Sequence, residues 1–177
     1  GKGEVSGYLL CGDMVSLASL DGIVFGTWGV YADNAFEAAI KADVLKAKDI
    51  FPVEDELKAI VPMKAAFDKN FASRLDGTHV KDCKDRWDMT EQLREDIRNF
   101  KAANGCDRIV VLWSASTEVY VPVNMEVHDT LEHLEAAMKA NDTVNIAPSM
   151  CYAYAALAEG APFIMGAPNT TVDIPAM

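Results

Sequence analysis

VVLWSASTE, residues 110–118, runs from an apolar strand directly into a turn of small, hydroxyl-bearing residues. Amphipathic helical patterns lie on both sides of this stretch, and a strand enclosed between helices is typical of a parallel sheet. The loop at the carboxyl end of such a strand is where parallel sheets bind ligands, and the small side chains of residues 114–117 let a ligand approach the backbone. The same turn is also common as a plain helix cap, so this stretch alone leaves both interpretations open.

Strands and helices alternate along the rest of the chain. Strands are predicted at Ile23–Gly26, Arg108–Trp113 and Pro162–Met165, and each is followed by glycine or small residues. This order predicts an α/β fold with a parallel sheet and flanking helices. The chain has 177 residues and is 50% hydrophobic, which is enough for one domain with a real core. No internal repeat or low-complexity linker marks a domain boundary.

Helix ends are predicted from capping residues. Asn34 and Glu37 form a capping-box pattern, and Thr90 is expected to cap the helix that stops at Asn104-Gly105. Pro148 is expected to open the last helix, which closes at Gly160. Two further helices are predicted at Glu54–Ile60 and His128–Ala140. The residues expected to face the core form apolar stripes: Phe36, Ile40 and Val44; Leu93, Ile97 and Phe100; and Leu131, Leu134 and Met138.

Composition and charge argue against several classes of protein. The formal net charge is −11 with no cluster of Lys and Arg, so we expect neither nucleic acid nor an anionic membrane as a partner. No apolar run approaches the length of a membrane span. The cysteines and histidines lack ligand or redox spacing, so we expect no metal, no disulfide framework and a reducing cytoplasm. These residues are Cys11, Cys83, Cys106 and Cys151, with His79, His128 and His133.

Loop chemistry follows all three predicted strands, at residues 26–29, 114–118 and 166–169. The carboxyl ends of parallel strands share one edge of a sheet, so these loops are expected to line one cleft; each one alone is also ordinary turn chemistry. The dinucleotide fingerprint G-x-G-x-x-G is absent. If this is a dinucleotide-binding sheet, its first βαβ unit is expected to be missing from the chain.

Four segments, in order, resemble the myo-inositol-1-phosphate synthase family, whose members are also called inositol-3-phosphate synthases. LASLDGIVFGTWGVYADNAFEAA (17–39) is similar to the family's strand, G-W-D turn and following helix. REDIRNFKAANGCDRIVVLWSASTEVY (94–120) resembles the family's stretch ending in L-W-T-A-N-T-E-R-Y, and HDTLEHL (128–134) resembles N-D-T-M-E-N-L. IAPSMCYAYAALAEGAPFIMGAPNTT (146–171) is similar to its segment with P-F-I-N-G-S-P-Q-N-T.

The resemblance implies an NAD-dependent isomerase that converts D-glucose 6-phosphate to 1D-myo-inositol 3-phosphate. The steps are oxidation, enolisation, aldol cyclisation and reduction by the same NADH. It also implies a cytoplasmic homo-oligomer in inositol and phospholipid biosynthesis. The family has a Rossmann-type domain with an inserted domain that carries most catalytic lysines. Residues 1–177 correspond to one partial NAD-binding domain, so no catalytic residue is expected here and the isolated segment is expected to be inactive.

The resemblance also assigns cofactor contacts by matched position. The family's T-A-N-T falls on Ser114, Ala115, Ser116 and Thr117; its G-S falls on Gly166 and Ala167; its adenosine-side contacts fall on Ala65 and Ala66; and the acid of G-W-D falls on Gly29. A carboxylate at that last position accepts hydrogen bonds from a ribose diol, which a glycine cannot do.

Two other functions stay open. One is a non-catalytic binding or assembly module on the same scaffold, which the glycine at position 29 favours. The other is a different NAD-dependent oxidoreductase, which would release NADH instead of recycling it. A partial Rossmann core would also leave sheet edges and helix faces uncovered, so the isolated chain is expected to self-associate.

Overall fold

The structure, a computed structural model, describes residues 14–177. Helices flank short parallel strands, which confirms the predicted α/β class. In chain order the elements are β1 (Trp28–Gly29), α1 (Ala35–Ala42), α2 (Ala47–Ile50), α3 (Glu54–Ala59), β2 (Met63–Lys64), α4 (Arg86–Ala103), β3 (Val111–Trp113), α5 (Leu131–Lys139), α6 (Pro148–Ala158) and β4 (Phe163–Met165). Cys11 lies outside the described residues.

The strands of residues 14–177 form two separate parallel pairs. β1 pairs with β2, and β3 pairs with β4 in the register Val111↔Phe163 to Trp113↔Met165. A single parallel bridge from Ala65 to Val80 extends the first pair. The expected single sheet is therefore divided, within the described residues, into two short pairs.

The strand predicted at Ile23–Gly26 is wrong. Within residues 14–177 this segment pairs with no strand, and the side chains of Ile23, Val24 and Phe25 are all exposed. The pairing begins two residues later, at Trp28, whose neighbour Met63 lies across the ladder. An apolar run of this length fits a strand by pattern alone, but only residues that find a partner strand become one.

Local capping signals predicted some helix ends correctly and others wrongly. The capping box of Asn34 and Glu37 is present, and Gly105 adopts a left-handed φ of 60° after α4. Thr90 is not a cap: α4 begins earlier, and Asp85 accepts a hydrogen bond from the Asp88 N–H. Thr90 lies buried inside the helix, where its hydroxyl donates to the carbonyl of Arg86 at 2.8 Å.

Two of the predicted apolar stripes are only partly buried. Ile40 is 44% exposed, and Val44 lies beyond α1, which ends where Asp43 adopts a left-handed φ of 50°. In α5, Leu134 and Met138 are fully buried, but Leu131 is 52% exposed because it is the first residue of the helix. The predicted start of α5 at His128 is also wrong, since the helix follows a cap at Thr130.

The core lies where α4, α5 and α6 pack beside β3. Helix α6 is its centre, since eight of its eleven residues are buried and its alanines let neighbouring helices approach closely. Buried residues of the other elements complete it: Met89, Leu93, Ile97, Val111, Val121, Leu134, Met138, Ile146 and Ile174. Within residues 14–177, no helix is both long enough and apolar enough to cross a membrane.

The Asp85 cap gives a first prediction. Asp85→Ala in the intact gene product is expected to lower the free energy of unfolding by about 1 kcal/mol, because the N-terminal N–H groups of α4 lose their side-chain acceptor. Asp85→Asn keeps an acceptor oxygen and is expected to lie close to wild type. Urea unfolding followed by circular dichroism measures both variants. Equal stability of the alanine and asparagine variants would contradict this account of the cap.

Candidate functional site

The turn after β3 and the loop after β4 leave the same edge of their strand pair. Residues 114–117 are exposed there, and Trp113 lies opposite Met165 in the ladder. The Gly166 N–H donates to the carbonyl of Trp113 at 2.9 Å. A Cβ on Gly166 would stand 2.5 Å from that carbonyl oxygen, so only glycine fits. The structure thus brings together six predicted site residues: Ser114, Ala115, Ser116, Thr117, Gly166 and Ala167.

Gly29 lies on the other strand pair, opposite Lys64 of β2. A Cβ on Gly29 would stand 2.9 Å from both the Cβ of Pro62 and the carbonyl oxygen of Tyr31. An aspartate, as in the family's G-W-D turn, would therefore require the backbone near Gly29 to shift. The local packing is built around a glycine here, and no carboxylate is available at this position for a ribose.

Ala65 and Ala66 follow β2 and are each 5% exposed. The Ala65 N–H donates to the carbonyl of His79 at 3.2 Å, and the Ala66 N–H donates to the Tyr152 hydroxyl at 2.8 Å. Both amide groups are thus engaged within the protein. Their small side chains shape the floor of this region, and their cofactor role stays a prediction.

Tyr152 of α6 joins the two strand pairs. Its ring lies edge-on to Trp28, with centroids 5.2 Å apart, and edge-on to Trp113, with centroids 5.4 Å apart. Burial raises the pKa of the Tyr152 phenol, so it is neutral and its oxygen accepts from Ala66. The indole N–H of Trp113 is buried and has no hydrogen-bond partner within residues 14–177. One aromatic cluster therefore fixes the relative placement of the two candidate loop regions.

Lys81 directly follows the Ala65–Val80 bridge that extends the first strand pair. Its ammonium lies 2.8 Å from Asp96, and the same carboxylate accepts from the Trp28 indole at 2.7 Å. Both charged side chains are largely buried, and the Trp28–Asp96 hydrogen bond joins β1 to α4. Lys64, which lies opposite Gly29 in the β1–β2 pair, is exposed to solvent.

Glu118 is the last residue of the predicted loop at 114–118, but the sequence analysis assigned no role to its side chain. Its side chain is 8% exposed, and its carboxylate accepts hydrogen bonds from the N–H of Ser149 at 3.1 Å and from the Ser149 hydroxyl. Burial raises the pKa of the Glu118 carboxyl, while the Ser149 bonds oppose that rise. A signal existed in the sequence: α6 begins Ala147-Pro148, with no capping side chain of its own, so its cap had to come from elsewhere.

His128, one of the histidines without ligand spacing in the sequence, is fully buried. Its Nδ1 accepts from the N–H of Asn124 at 3.0 Å, which assigns the proton to Nε2, and Nε2 donates to the carbonyl of Asn145 at 2.9 Å. The ring therefore ties two loops together. Across residues 14–177 no three His, Cys, Asp or Glu side chains come close enough to hold a metal ion.

Comparisons with known proteins connect this geometry to one family. Residues 2–177 match a family model for an NAD-binding domain described as myo-inositol-1-phosphate synthase. The chain is 62% identical to inositol-3-phosphate synthase 1 of Bacteroides thetaiotaomicron over 165 residues, which cover 93% of this chain and 38% of that protein. It is 38% identical to inositol-3-phosphate synthase of Trypanosoma brucei brucei over 155 residues, which cover 85% of this chain and 29% of that protein.

A solved structure agrees with this match. The crystal structure of inositol-3-phosphate synthase from Caenorhabditis elegans superposes with a TM-score of 0.87 at 26% identity, covering 93% of this chain and 32% of that one. The predicted Rossmann-like architecture is confirmed by this likeness. The chain spans less than two fifths of the length of these relatives.

The Tyr152 hydroxyl gives a second prediction. Tyr152→Phe keeps both ring contacts but leaves the buried Ala66 N–H without an acceptor, so the free energy of unfolding is expected to fall by about 1–3 kcal/mol. Tyr120→Phe, at a tyrosine that is 70% exposed, is the matched control and is expected to change little. Chemical unfolding of the intact gene product compares them. If the two variants lose equal stability, the Ala66 bond is not structural.

Proposed function

The chain belongs to the myo-inositol-1-phosphate synthase family, and from this membership we propose that it is part of the NAD-binding domain of an isomerase that converts D-glucose 6-phosphate to 1D-myo-inositol 3-phosphate. NAD is the cofactor of the matched domain. This segment binds and orients the cofactor, while catalytic residues lie in other parts of the intact protein. The isolated segment is inactive on this proposal.

The main support for the proposal is that the turn after β3 and the loop after β4 lie at the same edge of their strand pair. Gly166 must lack a side chain there, and the exposed turn at 114–117 offers small side chains with hydroxyls. A nicotinamide nucleotide at the carboxyl end of parallel strands needs to approach the backbone closely and to find a few hydroxyl donors, and this edge offers both. These residues fit the cofactor: Ser114, Ala115, Ser116, Thr117, Gly166 and Ala167.

Bound NAD⁺ supplies the hydride acceptor that oxidises the sugar and, as NADH, the donor that reduces it again. The residues of this chain contribute by binding and exclusion. The hydroxyls of Ser114, Ser116 and Thr117 are exposed and able to donate hydrogen bonds. Trp113, directly before them in the chain, packs edge-on against the buried Tyr152 and so anchors the turn to the core.

A specific observation favours a second candidate, a non-catalytic binding or assembly module. Gly29 has no carboxylate, and the carbonyl of Tyr31 and the ring of Pro62 occupy the space that a side chain would need. With Ala65 and Ala66 buried and their N–H groups in use, the β1–β2 side offers few groups to an adenosine. In this second candidate the protein keeps the fold but does not bind NAD tightly.

Measurements on the intact gene product separate the candidates. The synthase is expected to bind NAD⁺ in calorimetry and to convert D-glucose 6-phosphate to an inositol phosphate without net NADH. Net release of NADH would instead indicate another NAD-dependent oxidoreductase. A protein that shows neither NAD⁺ binding nor turnover would favour the non-catalytic module.

Gly166 supplies the matching variant. Gly166→Ala is expected to weaken NAD⁺ binding at least tenfold, about 1.4 kcal/mol, because the new Cβ meets the Trp113 carbonyl and moves the loop. Gly22→Ala is the control, since a Cβ there meets nothing within 4 Å. If Gly166→Ala binds NAD⁺ as tightly as wild type, the edge shared by the β3 turn and the β4 loop is not part of the cofactor site.

The protein is also proposed to be a cytoplasmic homo-oligomer in inositol and phospholipid biosynthesis. Leu112 of β3, Ile164 of β4 and Val110, which directly precedes β3, are exposed apolar side chains, and this supports their burial in a larger assembly. Light scattering of the intact gene product at micromolar concentration is expected to give a mass above that of one chain. A monomer would contradict the assembly.

A further inference from the structure

Glu118 sits behind the candidate cofactor site, immediately after the exposed turn at 114–117. Its side chain points away from that turn into the protein, where it is 8% exposed. A buried carboxylate is costly unless several donors satisfy it. The contacts of Glu118 therefore identify what the carboxylate holds in place.

One set of contacts ties Glu118 to the start of α6. The N–H and the hydroxyl of Ser149 both donate to the carboxylate. The Ser149 hydroxyl in turn lies 2.6 Å from the Thr171 hydroxyl, which donates to it because the proton of Ser149 is already used. The partial positive charge at the start of a helix also favours a carboxylate there.

A second set of contacts ties Glu118 to the loop after β4. The Glu118 N–H donates to Oδ1 of Asn169 at 3.2 Å, and Nδ2 of Asn169 donates to the carboxylate at 3.3 Å. This pair of bonds joins the two loops directly, three residues beyond Gly166. The Thr170 hydroxyl adds a further hydrogen bond between these segments by donating to the carbonyl of Val121 at 2.7 Å.

We propose that Glu118 is a positioning residue: through Asn169 and Ser149 it fixes the spacing between the turn at 114–117 and the loop at Gly166 and Ala167, and so sets the affinity for the cofactor. This inference rests on the proposed NAD site. Glu118 touches no ligand, and it acts by holding both loops against the rigid start of α6. A shift of either loop would separate the two halves of one binding surface.

The chemistry of the group explains why glutamate is needed. Every neighbour that reaches the side chain is a donor: the Ser149 N–H, the Ser149 hydroxyl and the Asn169 amide. A glutamine would bring its own NH₂ group against these donors. An aspartate is one methylene shorter and cannot reach both the helix and Asn169 from the same backbone position.

The test uses the intact gene product and measures NAD⁺ affinity, the KM for glucose 6-phosphate and the thermal midpoint. Glu118→Gln is expected to weaken NAD⁺ binding about tenfold or more. The KM for the sugar is expected to stay within about twofold, because the two loops that Glu118 holds belong to the proposed cofactor site. Glu95→Gln, at an exposed position on α4, is the matched control. A purely structural role would lower the thermal midpoint and leave NAD⁺ affinity at low temperature unchanged.

Asn169→Ala keeps the test decisive if Glu118→Gln does not fold, because it removes the Glu118–Asn169 bonds between the loops and leaves the Glu118–Ser149 bonds in place. It is also expected to weaken NAD⁺ binding. In the double variant the two losses are expected to be less than additive, since both act through one spacing.

The outcomes separate the two levels of inference. Wild type that binds NAD⁺ together with variants that bind it equally well would overturn the role of Glu118 and leave the proposed function standing. Wild type that does not bind NAD⁺ would overturn the proposed function itself. Additive losses in the double variant would also count against a shared positioning role.

Discussion

The contact of one tyrosine with two tryptophans holds the described part of this molecule together. Tyr152 stands between Trp28, the first residue of β1, and Trp113, the last residue of β3, and its hydroxyl accepts from the Ala66 N–H. The strands themselves are only two or three residues long, so their ladders contribute few hydrogen bonds. The relative placement of the two pairs is thus determined mainly by aromatic packing against α6.

The charged side chains that stabilise this structure are mainly buried ones. The chain carries a net charge of −11, yet its buried charges are paired: Arg86 with Asp68, and Lys81 with Asp96. Burial alone would raise the pKa of Asp68, but the hydrogen bonds from Arg86 and Asn70, together with the charge of Arg86, hold that pKa below its usual range. Glu118 differs because a helix start and neutral donors satisfy it. Buried charge in this fold therefore fixes the geometry of loops and helix ends.

Features set by neighbouring residues were predictable from sequence, and features set by distant partners were not. The capping box at Asn34 and the left-handed Gly105 depend on residues within one turn, and both predictions are confirmed. The apolar run Ile23–Gly26 fits a strand pattern but found no partner strand. Glu118 meets its helix partner 31 residues away, a pairing that no local signal encodes. Three loops were predicted to share one edge because parallel strands end together. Those after β3 and β4 do so, whereas residues 28–29 form β1 of the other strand pair.

The long sequence separation of the Tyr152 contact has a consequence for synthesis on the ribosome. Ala66 and the Tyr152 hydroxyl are 86 residues apart, so at about 5–20 residues per second the first emerges roughly 4–17 s before the second. During that interval β1, β2 and the Trp28 ring have no α6 against which to pack. Closing so long a loop costs entropy before any contact repays it. The amino-terminal strand pair therefore depends on the nascent helix that follows it, and chaperones have a defined interval in which to bind it.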